Sequence, residues 1–375
     1  MMLTQKQVFT LPSYTTVGGR EIRNLQVGWE CYGKLNADAS NAILVPHFFS
    51  ANSHVAGRYR ADDAAPGYWD AIIGPGKAID TDRYFVIGVD SLTNLNTLDG
   101  ITVSSGPASI DPDTGKPYGM SFPVVTIRDF VRVQQQLISS LGIEKLHAIV
   151  GYSMGGLQAY EWAASAPERV GRIVPVSCRP TQMPFGVIAL DSWTAPVRVD
   201  PHWNNGDYYE QPNKPEKGIV LAFYNILVGA LHPEYIAERY GHGWAVAEQN
   251  PAHDIAHRFL SEFDLNMLAS ARLKTTDANH LLFLTRANQL FVAGTPGSSV
   301  AADFSNLKAP CLVIQVRTDL LFPIADARQL VAQMQAIGNP VEFHELDSGM
   351  GHLGGIFEIQ KAAPHISEFL NRPLP

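Results

Sequence analysis

The residues of this chain best placed to do chemistry lie in Gly151-Tyr152-Ser153-Met154-Gly155-Gly156. An apolar run, His147 to Val150, leads into them, and Leu157 to Ala166 follows with helical spacing. A serine flanked by glycines between a strand and a helix reads as a sharp turn that presents a nucleophilic hydroxyl. The glycines have a steric purpose, because a Cβ at 151 or 155 would strike the neighbouring strand or helix, and Gly156 relieves similar crowding. A serine hydroxyl is a weak nucleophile until a base takes its proton, so a histidine oriented by a carboxylate must come from elsewhere in the chain. The bland alternative is a glycine-rich turn without catalytic purpose.

The elements that would position these groups alternate between strand and helix from about residue 24 to 178. Candidate strands are Asn24 to Glu30, Ala42 to Pro46, Tyr84 to Val89, His147 to Gly151 and Arg172 to Val176. Several are nearly continuous in Ile, Val, Leu and Phe, as expected of parallel strands covered on both faces. Phe122 to Leu141 has the spacing of a helix that stops at Gly142. Between residues 181 and 306 the alternation gives way to helix-like stretches: Lys217 to Leu231, Pro233 to Arg239, Ile255 to Phe263 and Asn279 to Phe291. The α/β pattern resumes with Cys311 to Val316, a helix from Ile324 to Ile337, a strand Val341 to Leu346 and a helix from Gly355 to Leu370. The expected fold class is therefore α/β with the α/β-hydrolase architecture: a core from 1–180 and 307–375, and a helical lid from 181–306.

In that fold the acid and then the histidine follow the serine along the chain. Asp319 lies just past the strand ending at Val316, and His352 lies in the loop after the strand ending at Leu346. Both fall at strand C-terminal ends, on the same sheet edge as Ser153. Asp347 and Asp326 are the competing acids, and His344, inside a strand, reads as structural. The oxyanion of an acyl-enzyme would be held by the N–H of Met154 and one from the segment after Pro46, where Phe49 is preferred to Phe48.

Composition narrows the partners. The chain has 375 residues, 46% of them hydrophobic, and a formal net charge of −8, so it can bury a large core and offers no basic surface for nucleic acid or anionic lipid. A small-molecule ester is the expected partner. The three cysteines, Cys31, Cys178 and Cys311, lack metal-ligand spacing and suggest a reducing compartment. The N-terminus lacks the apolar run of about 7 to 15 residues of a signal peptide, and no run reaches the roughly 18 of a membrane span, so a soluble, cytoplasmic protein is expected. His47 and His54 have no carboxylate at ligand spacing, Gly74-Pro75-Gly76 lacks the third glycine of a dinucleotide fingerprint, and neither a metal nor a bound cofactor is expected.

Across nearly its whole length the chain resembles the homoserine O-acetyltransferase family. The resemblance is carried by Asn41-Ala42-Ile43-Leu44-Val45 with Ser53-His54-Val55-Ala56-Gly57, by Ile127-Arg128-Asp129-Phe130-Val131, and by the serine turn continued as Leu157-Gln158-Ala159-Tyr160-Glu161-Trp162-Ala163. Asp200-Pro201-His202-Trp203, Gly206-Asp207-Tyr208-Tyr209, Asp277-Ala278-Asn279 and Leu284-Thr285-Arg286-Ala287 extend it through the lid. It implies a triad of Ser153, Asp319 and His352, a helical lid and a homodimer formed through that lid.

Departures fall in the acceptor pocket. Where the family has a Gln-Arg pair the register reads Trp193-Thr194-Ala195-Pro196, where it has an aspartate after the histidine the chain has Leu353, and where it has tyrosines the run is His280-Leu281-Leu282-Phe283. A pocket lined by Phe48, Tyr152, Trp193, Thr194 and Leu353 would leave the charges of homoserine unpaired, at several kcal/mol per ion. The expectation is a carboxylesterase cleaving short-chain, acetate-type esters with water as second acceptor. The alternative is transfer from acetyl-CoA, as co-substrate, to homoserine or a related alcohol; a non-catalytic binding protein is the third reading.

Overall fold

The computed structural model describes residues 2–295 and 307–374. Ten strands occur among them: β1 Gln7–Thr15, β2 Glu21–Tyr32, β3 Ala42–Pro46, β4 Ile73–Gly74, β5 Ile79–Asp80, β6 Phe85–Val89, β7 Ala148–Tyr152, β8 Ile173–Val176, β9 Cys311–Val316 and β10 Val341–Leu346. Eight form one sheet in the order β1-β2-β6-β3-β7-β8-β9-β10, and β4 pairs with β5 separately. All neighbours from β6 to β10 run parallel, whereas β1 with β2 and β2 with β6 are antiparallel. The central strands β3, β6, β7, β8 and β9 are buried along their whole length. Period-two alternation sends Leu44, Ile149 and Val313 into a core on one face, and Ile43, Val45, Val150 and Ile314 into a core on the other. This is the expected α/β-hydrolase sheet.

The strand β1 has no counterpart in the sequence pattern. Most of its side chains are exposed, so no apolar alternation marks it. It exists because its backbone pairs with β2 from Gln7↔Trp29 to Thr15↔Glu21, and because Asp129 reaches back to it from the next helix. That carboxylate accepts from the Tyr14 hydroxyl and the Val17 N–H, both at 2.7 Å, while closing a capping box with Thr126. The cap, with Pro123 just upstream, makes α1 run Ile127–Ser140 rather than begin at Phe122.

Between β8 and β9 the chain makes α3 Pro184–Val199, α4 Glu216–Ala230, α5 Pro233–Tyr240, α6 Leu260–Ser270 and α7 Ala278–Gln289, and this helical insertion packs α3 against α4 and α7, and α4 against α6. Its expected end at residue 306 lies outside the described residues. The pattern does not single out α3, which carries Pro196 in its interior. The helix expected from Ile255 begins only at Leu260. The Asp254 side chain accepts from the Ala256 N–H in a local turn, and Glu262 caps the Phe259 N–H.

After α2 Met154–Ser165 and α8 Ile324–Ala336, the last expected helix is divided. α9 Gly354–Phe357 and α10 Ala363–Asn371 are separated by a tight turn, because Pro364 cannot donate into a continuous ladder. Among the described residues no single helix is long and apolar enough to cross a membrane.

Candidate active site

Ser153 stands between β7 and α2 with φ 53° and ψ −121°, a left-handed backbone that a side chain rarely adopts. The turn tolerates it because its neighbours are bare. A Cβ on Gly151 would overlap the Gly155 carbonyl oxygen, and one on Gly155 would overlap the carbonyl oxygen of Pro46 at the end of β3. Gly156 similarly faces the Cys178 thiol.

His352 follows β10, in a loop whose Gly351 has φ 67° and packs against the backbone at the end of α4. The Gly351 N–H donates to the Thr318 hydroxyl at 3.0 Å, and the Tyr152 hydroxyl donates to the His352 carbonyl at 2.6 Å. These fix the ring so that Nε2 lies 2.9 Å from Ser153 Oγ and Nδ1 lies 2.7 Å from Asp319 Oδ2. Asp319 is buried, and its other oxygen accepts from the N–H groups of Leu321 (2.9 Å) and Phe322 (3.0 Å). Such a carboxylate keeps the proton on Nδ1 and leaves Nε2 free to take one from the serine. The competing acids lie elsewhere: Asp347 pairs with Arg317 at the surface and Asp326 with Arg179. His344 stacks on His365, 3.7 Å between ring centroids.

The Met154 N–H opens helix α2, and the Phe49 N–H lies in the loop after β3; neither finds an acceptor among the described residues. Sequence reasoning missed what holds that loop. Buried His47 accepts from the Ser91 N–H (3.0 Å) and the Asn94 amide (3.2 Å) at Nε2, so Nδ1–H donates to the Phe48 carbonyl at 2.7 Å. Burial pushes His47 down to about 4, which keeps this neutral tautomer. Asn94 also holds the Ala51 carbonyl (2.9 Å), Asn96 holds that of Ser50 (3.1 Å), and Arg272 of the insertion donates to both Ser50 and Asn96. The only trace of this network in the sequence is the set of short polar residues between Asp90 and Asn96, interrupted by Leu92 and Leu95, behind a buried strand.

An apolar cavity of about 110 Å³ opens over Ser153. Phe48, Phe49, Tyr152, Trp193 and Leu353 line it, together with Leu157, Leu190 and Phe322. Phe49 meets Trp193 edge to face at 5.4 Å, and Phe48 meets Tyr152 at 5.5 Å. Thr194 is not among the lining residues. One residue turns a helix by about 100°, so while Trp193 faces the cavity, the Thr194 hydroxyl bonds the Asp191 carbonyl and Arg198. The run His280-Leu281-Leu282-Phe283 stays outside too; His280 is buried, donating from Nδ1 to the Asn94 carbonyl at 2.8 Å. No group of three or more His, Cys, Asp or Glu that could hold a metal occurs among the described residues.

A Ser-His-Asp array on this sheet defines the class of protein, and a family model described as the alpha/beta hydrolase fold matches residues 65–359. The chain belongs to that fold family and, within it, to the homoserine O-acetyltransferase family. It is 36% identical over 356 residues to a homoserine O-acetyltransferase of Geotalea uraniireducens, covering 94% of this chain and 93% of the relative. The crystal structure of a homoserine O-acetyltransferase from Bacillus anthracis superposes with a TM-score of 0.94 at 36% identity, covering 100% of both chains. That of esterase E22 gives 0.93 at 43% identity, covering 98% of this chain and 100% of its own.

The curated relatives carry an acetyltransferase name, and this overturns the expectation of a carboxylesterase of the water-accepting type. The physical reason is that both reactions pass through one acyl-enzyme and differ only in the nucleophile that enters second. An apolar wall bears on the charge of that nucleophile, and does not separate water from an alcohol.

Proposed function

We propose that the protein transfers an acetyl group from acetyl-CoA to the hydroxyl of homoserine or a related alcohol. The observation that carries this reading is the Ser153–His352–Asp319 hydrogen-bonded chain in a sequence similar over 94% of its length to homoserine O-acetyltransferases. Ser153 Oγ attacks the thioester carbonyl while His352 Nε2 takes its proton, and the N–H groups of Met154 and Phe49 hold the oxyanion. His352 returns the proton to the departing thiol, leaving acetyl-Ser153. The acceptor hydroxyl then enters, gives its proton to His352 and attacks the acetyl carbonyl; collapse releases the ester and reprotonates Ser153. Asp319 holds the imidazolium through Nδ1 in both halves.

The test is to incubate the enzyme with acetyl-CoA and L-homoserine or simple alcohols, and to follow thiol release together with O-acetylated product by mass spectrometry. Product formation that disappears in Ser153→Ala is expected; thiol release yielding acetate alone with every acceptor would refute transfer. We also propose that two copies pair through the helical insertion. Exposed Phe185, Ile188 and Val199 on α3 support this, and a monomer by light scattering would refute it.

A further inference from the structure

Deepening the transferase reading, on which it rests, we infer that the acyl acceptor is an uncharged, largely apolar alcohol and not a zwitterionic amino acid. The cavity over Ser153 has no Asp, Glu, Lys or Arg in its wall, and His352 is committed to Ser153 and Asp319. Its polar contributions besides the reacting groups are neutral: the Gln182 and Asn288 amides, Ser50, the Tyr152 hydroxyl and the Trp193 indole. Three arginines of the neighbouring segments already bond other protein groups, although the Arg272 Nε finds no partner among the described residues. Arg198 of α3 pairs with Asp191 and bonds the Thr194 hydroxyl, Arg179 pairs with Asp326, and Arg272 is committed to Asn96 and the Ser50 carbonyl while lying over the Phe223 ring.

A carboxylate or ammonium entering this wall would lose its water and find no counter-ion, a penalty that falls on binding and on the transition state alike. A hydrocarbon of the same shape would lose no such partner and would add apolar contact with Trp193, Leu190 and Leu353. The acceptor hydroxyl itself is served by His352 Nε2, which needs only one O–H and no charge.

The experiment loads the acetyl-enzyme from p-nitrophenyl acetate, so that donor recognition is not limiting. Homoserine is then compared at equal concentration with 3-methyl-1-butanol, an uncharged alcohol of the same branching. Products are quantified by mass spectrometry, with acetate as the internal measure of leakage to water. The isoamyl ester is expected to form at least about ten-fold faster than O-acetylhomoserine. Equal or faster acetylation of homoserine would overturn the inference while leaving transfer intact. Release of acetate alone would remove the transferase reading and this inference with it.

Discussion

The oxygen of Ser153, the two nitrogens of His352 and one oxygen of Asp319 stand in line at 2.9 and 2.7 Å, so a change of one atom at the acid should be felt at the nucleophile. In Asp319→Asn the amide would donate to Nδ1 and favour the tautomer that cannot accept from serine. Turnover is expected to fall by about 10³- to 10⁴-fold in a p-nitrophenyl acetate assay, with Asp347→Asn close to wild type, since the Asp347 carboxylate pairs with Arg317 at the surface. Equal losses in the two variants would reassign the acid. His47 makes a pH prediction. Its folded value of about 4 lies below the ordinary 6.5 because of burial, so between those values the unfolded chain binds a proton that the native one refuses. The stability it contributes is complete above pH 6.5 and is lost as pH falls towards 4, on the order of 3 kcal/mol in all. Denaturant titrations at stepped pH should show a shallower loss across this window in His47→Asn than in wild type.

At the scale of the element, the serine turn is a contact between backbones. Gly155→Ala would drive a methyl into the Pro46 carbonyl, so α2 must lift from the end of β3, the segment that leads to Phe49. A loss of about 1–3 kcal/mol in thermal or chemical unfolding is expected, with activity falling further than stability accounts for. Gly349→Ala is the matched control, because nothing lies within 4 Å of its added Cβ; it should unfold within about 1 kcal/mol of wild type. The elements themselves were unequally legible. β3, β6, β7 and β8 are apolar throughout, and β9 is apolar except at Gln315, so they announce themselves, whereas β1 is an exposed edge strand recognisable only by its partner β2. The break before α10 could be read from Pro364, yet the start of α6 depended on Asp254 and Glu262 competing for nearby backbone donors.

For the molecule as a whole, the helical insertion and the core meet at the loop after β3 that carries Phe49. Arg272, after α6, is partly buried, and that burial lowers its guanidinium to about 10. It holds the Ser50 carbonyl, one residue past Phe49, and Asn96 in the core, while its plane lies over Phe223 of α4 at 4.9 Å. Position of the insertion and aim of the Phe49 N–H are thereby joined. Arg272→Met keeps the stem packing and removes the donors, so a stability loss of about 1–3 kcal/mol is expected from the unpaired acceptors. The drop in turnover number should exceed any rise in KM for p-nitrophenyl acetate, because the oxyanion donor proposed at Phe49 would act mainly on the transition state. A change confined to KM would separate the two.

The sequence by itself brought out Ser153, His352 and Asp319, which the fold sets in one hydrogen-bonded chain, because each is tied to a local signal: glycines around a sharp turn, or a loop directly after an apolar strand. It also determined the parallel core, since strands buried on both faces must be apolar along their length. Only the tertiary structure decided which side chains share the cavity. Thr194 and Trp193 are adjacent in the chain, yet helical rotation turns one towards Arg198 and the other onto Phe49. It alone brought His47, Asn94, Asn96 and Arg272 to one loop from three separate parts of the chain. Polar groups buried at that distance in sequence satisfy one another only once the chain has closed around them, and no spacing along the chain records it.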